Sequence, residues 1–370
     1  MPDLKEEDCD DYQIVTLHGD FPIPASDDHI PPDMRRFYSP FLLALHYLGD
    51  EDAFQSYMGG MERFRALAGI LDDYQRVYGL HMRDQWDLVN SNIDRVFGDW
   101  DGNSSAAESM HFLHGALYLG ISAIDPIGRY PSVKREIWSR TFKKSAEFAK
   151  EAWRAERCGE LKKLQQRISD QLFFLVRHND QWVAAVPIIY ARFNKKGMPG
   201  DWRIPGDDFI SLRDAYRQNF ELSCQALSMV VRMQNIAEGR DADTIYSESQ
   251  DNPWVPRGFP KTGKVKPPKT IKQFECLSSA NKELYLNRSS KLTNLWDACF
   301  ERGLRNAISH ADADHDLGDG LIRTGKGVKA YHDFLVSVAW QVPLLTFWLD
   351  LIKLWRVCAI AASTSNAESA

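Results

Sequence analysis

Arg305, Asn306 and His310 fall within six residues of one another in the stretch LRNAISHADADHD, residues 304–316. These three residue types suit phosphodiester chemistry. An arginine stays charged and can neutralise charge developing on phosphate oxygens, bidentately where geometry allows. A histidine, with a reference pKa near about 6.5, can take a proton from a ribose 2′-OH or give one to the leaving oxygen. The asparagine can orient either partner. On a helix, Asn306 and His310 are four apart and lie one above the other, and Arg305 can swing to the same place. A single chain supplies one such histidine, whereas 2′-OH attack benefits from both an acid and a base. Two copies about a two-fold axis would provide both, so a homodimer is expected.

The acids that follow invite a metal reading that their spacing does not sustain. Asp312, Asp314 and Asp316 alternate as in a calcium loop, but Leu317 stands where glycine belongs. Arg323 stands where the bidentate glutamate is needed. His310 and His315 lie among these acids without a second ligand cluster in the sequence, so a solvated acidic loop is expected. No metal and no cofactor is called for. His111 and His114, in HFLH, can share a helix face, yet no acid stands at metal-ligand spacing; they read as core or surface histidines.

A second decoy is GFPKTGKV, residues 258–265, whose glycines and lysine are spaced like a phosphate-binding loop. Val265 replaces the hydroxyl residue, and Pro267-Pro268 forbids the helix that must follow. What survives is a basic connection, with Arg257, Lys261, Lys264, Lys266, Lys269 and Lys272 uninterrupted by an acid. It reads as a solvated linker, with RNA-backbone contact by Lys261, Lys264, Lys266 and Lys269 as the functional alternative.

The elements that must position these residues are helical almost throughout, and the fold class is all-α. With 44% hydrophobic residues in 370, the chain can bury one large core or two ordinary ones. Glycines at 49, 59–60 and 79 are expected to break the early helices. Ser105 with Glu108 forms a capping box ahead of the helix that carries HFLH. Asp207 or Asp208 caps a helix that reaches Ile236 with the stripe Phe209, Leu212, Tyr216, Phe220, Leu227 and Val231. Helical patterns resume at 270–285, 288–309 and 329–361. On the second of these, Gly303 is expected to admit close approach of another backbone. Leu321-Ile322, between glycine turns, suggests a small hairpin or irregular excursion.

Organisation follows from composition. Residues 1–30 carry nine acids and one base and are expected to be a flexible, solubilising head; the rest of the chain is then net +2 against −6 overall. Residues 31–200 form a helical region with no assigned motif. The Gly/Pro loop NKKGMPGDWRIPGDD marks a boundary to a second region, 205–362, interrupted by the polar connection 239–269 and followed by a tail, 363–370. Of six cysteines, Cys224, Cys276, Cys299 and Cys358 sit among apolar residues and are expected to be buried thiols, not disulfides or zinc ligands. The apolar run at 334–355 contains Gln341 and Pro343 and is closed by Asp350, Lys353 and Arg356, so it reads as a core helix and not a membrane span. The acidic start does not read as a targeting peptide, and the cytoplasm is the expected location.

At this point LRNAISHA resembles the HEPN superfamily of helical ribonucleases, whose signature is arginine, four to six residues, then histidine, often with a polar residue after the arginine. Arg305, Asn306 and His310 match those positions, and the resemblance covers roughly residues 205–362. It implies a four-helix-type bundle, a dimer that composes the active site, and metal-independent RNA cleavage leaving a 2′,3′-cyclic phosphate. It also implies a toxin or antiviral-defence setting, with an antitoxin or other regulatory protein as a partner. A catalytically inactive HEPN-like module, binding RNA or protein and dimerising, is the alternative. The spacing alone is weak evidence: RVYGLH also places Arg76 and His81 with four residues between them, but without the polar residue.

Overall fold

The computed structural model describes residues 23–24, 48, 51–125, 128–141, 144–193, 202–204, 208–245, 267–288, 290–309, 313–316, 320–325 and 327–368. The acidic head apart from 23–24, Gly49, most of the basic connection and His310 lie outside these residues.

The protein is all-α. Helices α1 (Glu51–Gly69), α2 (Leu71–Met82), α3 (Trp86–Phe97) and α4 (Ala106–Ile121) open the described chain. They are followed by α5 (Arg129–Thr141), α6 (Ser145–Arg157), α7 (Glu160–Arg177), α8 (Val186–Phe193) and α9 (Phe209–Ala237). The C-terminal part has α10 (Ile271–Glu275), α11 (Ser279–Glu283), α12 (Ser290–Cys299), α13 (Arg302–Ser309) and α14 (Tyr331–Glu368). β1 (Ile23–Pro24) pairs with β2 (Trp202–Arg203), and β3 (Ala313–Asp316), β4 (Leu321–Thr324) and β5 (Gly327–Ala330) form an antiparallel sheet in that order.

Local signals explain several boundaries. Ser105 accepts from Glu108 N, and the Glu108 carboxylate accepts from Ser105 N, closing the capping box on α4. Asp208 caps α9 by accepting from Ser211 N. The breaks expected at Gly59-Gly60 and Gly79 do not occur. Helix α1 runs through Gly59-Gly60, and α2 runs through Gly79. Gly60 serves a packing purpose: a Cβ there would lie 2.6 Å from the Ala123 Cβ, so only glycine allows this approach.

Helix α14 organises the core. It packs on α4, α5, α6, α7, α9 and α12, and hydrophobic side chains from Leu48 to Ala359 form one cluster. The core is therefore continuous across the 194–207 segment. Residues 331–362 make the one helix among the described residues long and apolar enough to cross a membrane, and its apolar window is 94% buried. A helix apolar all round belongs in a protein core when other elements cover it. Asp350, Lys353 and Arg356 do not flank the run in solvent; they are buried with it. Asp350 pairs with Lys353 at 2.6 Å and accepts from the Tyr130 hydroxyl and Lys134 Nζ. Arg356 donates to Asp84, Glu156 and Gln165 at 2.9, 3.1 and 3.0 Å. Burying a charge is tolerable when it is paired and hydrogen-bonded, as here.

Candidate functional site

The segment 288–309 is not one helix. It breaks at Phe300-Glu301 into α12 and α13, and the break turns the inward face by about one residue. On α12 the buried positions are Leu292, Leu295, Trp296 and Cys299. Continuing that stripe would bring Gly303 and Ala307 inward. On α13 the buried residues are instead Leu304, Arg305 and Ile308, while Arg302, Gly303 and Asn306 are exposed. The close backbone approach expected at Gly303 is absent: a Cβ there would meet only the Glu301 side chain, at 3.0 Å.

Arg305 is thus a core residue, 4% exposed. Its Nη1 donates to Glu283 Oε2 at 2.5 Å. The guanidinium carbon lies 4.6 Å over the Phe220 ring. Nη2 donates to Asn306 Oδ1 at 3.3 Å. The other oxygen of Glu283, Oε1, accepts from Trp296 Nε1 at 3.1 Å. Phe220, Trp296 and Phe300 pack edge to face around this ion pair, with centroids 5.1 to 5.8 Å apart. Glu283, Phe220 and Trp296 come from α11, α9 and α12, and no spacing in the sequence links them to Arg305.

The structure brings Arg305 and Asn306 together. His310 lies outside the described residues, one position beyond the end of α13. Lys261, Lys264 and Lys266 also lie outside them. Lys269 is exposed, and its carbonyl accepts from Ile245 N at 2.8 Å. With the Thr244–Thr270 bridge, this contact holds the two ends of the basic connection side by side. The stretch expected to be an acidic loop is partly strand. Residues 313–316 form β3, where Asp316 lies 3.5 Å from Arg323 and His315 stacks on Tyr331 at 3.9 Å. Among the described residues no cluster of histidine, cysteine, aspartate or glutamate is arranged to hold a metal.

A groove of about 960 Å³ opens beside Leu304, lined also by Arg129, Arg192, Glu301, Lys329 and Trp340. Leu304 and Asn306 are two positions apart, so the groove is on the opposite side of α13 from the Asn306 amide. Its charges are largely internally matched. Arg192 pairs with Asp333, Lys329 pairs with Glu301, and Arg129 lies 4.5 Å over Trp340.

The decoy histidines have structural surroundings. Arg76 is exposed and pairs with Asp73 at 3.1 Å, whereas His81 is buried, so the pair does not converge. The Nε2 of His81 faces two donors, Gln165 Nε2 at 3.1 Å and Arg356 Nη1 at 3.4 Å. It is therefore the acceptor of a neutral ring. Burial, then the nearby Arg356, holds the His81 pKa well below its ordinary value. His114 is buried while His111 is exposed, so they do not share an environment. The acid missing from the sequence neighbourhood of His114 arrives from α14: Asp350 lies 3.9 Å from its Nδ1. Burial still pushes the His114 pKa down to about 3, with Lys353 adding to the effect. Of the cysteines, Cys224 and Cys299 are buried and Cys358 is half-buried, but Cys276, at the end of α10, is exposed.

Compared with protein-family models, curated proteins and solved structures, the chain matches none.

Proposed function

We propose that this protein is a metal-independent endoribonuclease of HEPN type, cleaving RNA by 2′-OH attack. The observation that supports the reading is the contact between the Arg305 guanidinium and the exposed Asn306 amide. It assembles two of the three polar groups on a short helix whose last residue precedes His310. In this reading His310 does the acid–base work and a second chain supplies the complementary histidine across a homodimer. Arg305 contributes a positive field and holds Asn306, which faces the RNA. Lys269 and the lysines before it contact the RNA backbone. The setting is the cytoplasm, in a toxin or antiviral-defence role restrained by an antitoxin or other regulatory protein.

A second reading is favoured by one observation. Arg305 is buried and its charge is matched by Glu283, so it does not present a free cation to phosphate. That arrangement suits a catalytically inactive HEPN-like module that binds RNA or protein and dimerises.

Incubating the purified chain with RNA in excess EDTA separates the two. Cleavage that persists in chelator, leaves a 2′,3′-cyclic phosphate and disappears in His310→Ala supports the nuclease. Cleavage that requires added metal, or wild type and His310→Ala equally inert, sinks it.

A further inference from the structure

The Arg305–Asn306 contact fixes which end of the amide meets a ligand. A guanidinium has five N–H donors and no acceptor, so the asparagine atom facing it must be the carbonyl oxygen. The amide nitrogen is then the end of this exposed side chain that is turned away from Arg305. Asn306 therefore turns its N–H donors outward, while its carbonyl oxygen is engaged by Arg305. A site of this kind selects acceptors, and an anionic oxygen makes the stronger, charge-assisted bond.

The orientation is held from within the core. Trp296 Nε1 donates to Glu283 Oε1 and Arg305 Nη1 donates to Glu283 Oε2, so both carboxylate oxygens are engaged. Phe220 supports one face of the guanidinium. Arg305 thus has little freedom to release Asn306, and the chain Trp296, Glu283, Arg305, Asn306 runs from the aromatic core to the surface.

Resting on the reading of RNA as ligand, we propose that Asn306 donates a hydrogen bond to a phosphodiester oxygen of RNA, with Glu283, through Arg305, as the residue that positions it. The arrangement explains the use of asparagine: aspartate would meet Arg305 equally well but present an acceptor to phosphate.

The test uses the full chain and a fluorescein-labelled 2′-O-methyl oligoribonucleotide, which cannot undergo 2′-OH attack, with affinity read by fluorescence anisotropy. Loss of one hydrogen bond to a charged group corresponds to about tenfold weaker binding, the effect expected for Asn306→Ala. Asn306→Asp should weaken binding at least as much while its melting temperature stays at or above the wild-type value, because the new carboxylate pairs with Arg305. Glu283→Gln should weaken binding in the protein that retains Asn306 and have no further effect in Asn306→Ala. Wild-type affinity in either Asn306 variant overturns the donor role, as does absence of binding by wild type. Equal effects of Glu283→Gln in both backgrounds overturn the positioning role. If Asn306→Ala loses binding while unmodified RNA stays uncut in EDTA, the nuclease reading fails and the donor site stands. The reverse pattern leaves the nuclease and removes the donor site.

Discussion

At the scale of single residues, burial decides what Arg305 does. A cation held at 2.5 Å from Glu283, with both side chains almost inaccessible, cannot be removed without stranding a carboxylate in the core. Arg305→Ala is expected to lower the unfolding free energy by about 3–5 kcal/mol, read by urea denaturation. A loss close to zero would show that the pair is solvated. It follows that loss of cleavage in Arg305→Ala would report folding as much as chemistry, whereas Asn306 and His310 variants report on the site. Gly60 is a second residue whose role is steric. Gly60→Ala forces α1 away from Ala123 and should destabilise by about 1–3 kcal/mol, measurable as a lowered urea midpoint with an unchanged slope. The same change at Gly69, where a Cβ meets nothing within 4 Å, should not destabilise and serves as the control.

At the scale of elements, the break between α12 and α13 has the largest consequence for the site. Without it, the apolar stripe of α12 would continue through Gly303 and Ala307, and Arg305 would face outward. The break turns Arg305 into the aromatic cluster and leaves Asn306 outside. The sheet β3–β4–β5 then links α13, which carries Arg305 and Asn306, to α14, the central helix of the core. Capping acts at the same scale on α4, which carries His114. Ser105→Ala removes the side chain that accepts from Glu108 N and should cost about 1 kcal/mol, seen as a lower melting temperature with the helical circular dichroism spectrum retained. An unchanged melting temperature would mean that packing alone fixes the start of α4.

At the scale of the whole molecule, the polar side chains of α14 tie the early helices to the late ones. Asp350 meets Tyr130, Lys134 and His114, and Arg356 meets Asp84, Glu156 and Gln165. The buried histidines at this junction predict acid sensitivity. His81 and His114 have folded pKa values below that of an unfolded histidine, so below about pH 6.5 the unfolded chain binds protons that the folded chain does not. This contribution is therefore complete above that pH and falls as pH drops, by about 2 kcal/mol for His114 on reaching pH 5, with His81 acting in the same direction. Burial favours the neutral form of Asp350, but the charges of Lys353 and Lys134 oppose it and the carboxyl is held below its usual range, so Asp350 stays ionised across this window. Urea midpoints measured from pH 7 to 5 should decline, and His114→Gln should flatten the decline. An unaltered slope in that variant would show that His114 does not titrate on unfolding.

The all-α class, the capping box at Ser105, the start of α9 at Asp208 and the burial of the 334–355 run were legible because each depends on residues close in the chain. Helical period, cap chemistry and run length are local quantities. The spacing of Arg305, Asn306 and His310 is likewise a local quantity, read along the chain. What that spacing placed inward and outward was decided elsewhere. Glu283, Phe220 and Trp296 lie on three other elements, and only their packing makes Arg305 a buried ion-pair partner and Asn306 an outward donor. Gly60 and Gly79 looked like breaks because glycine weakens an isolated helix, yet tertiary packing stabilises α1 and α2 through them. Sequence by itself determined the all-α class and the local caps that start α4 and α9. Only the tertiary structure decided which residues face the core and which face solvent, because burial is set by neighbours that the chain brings together from far apart.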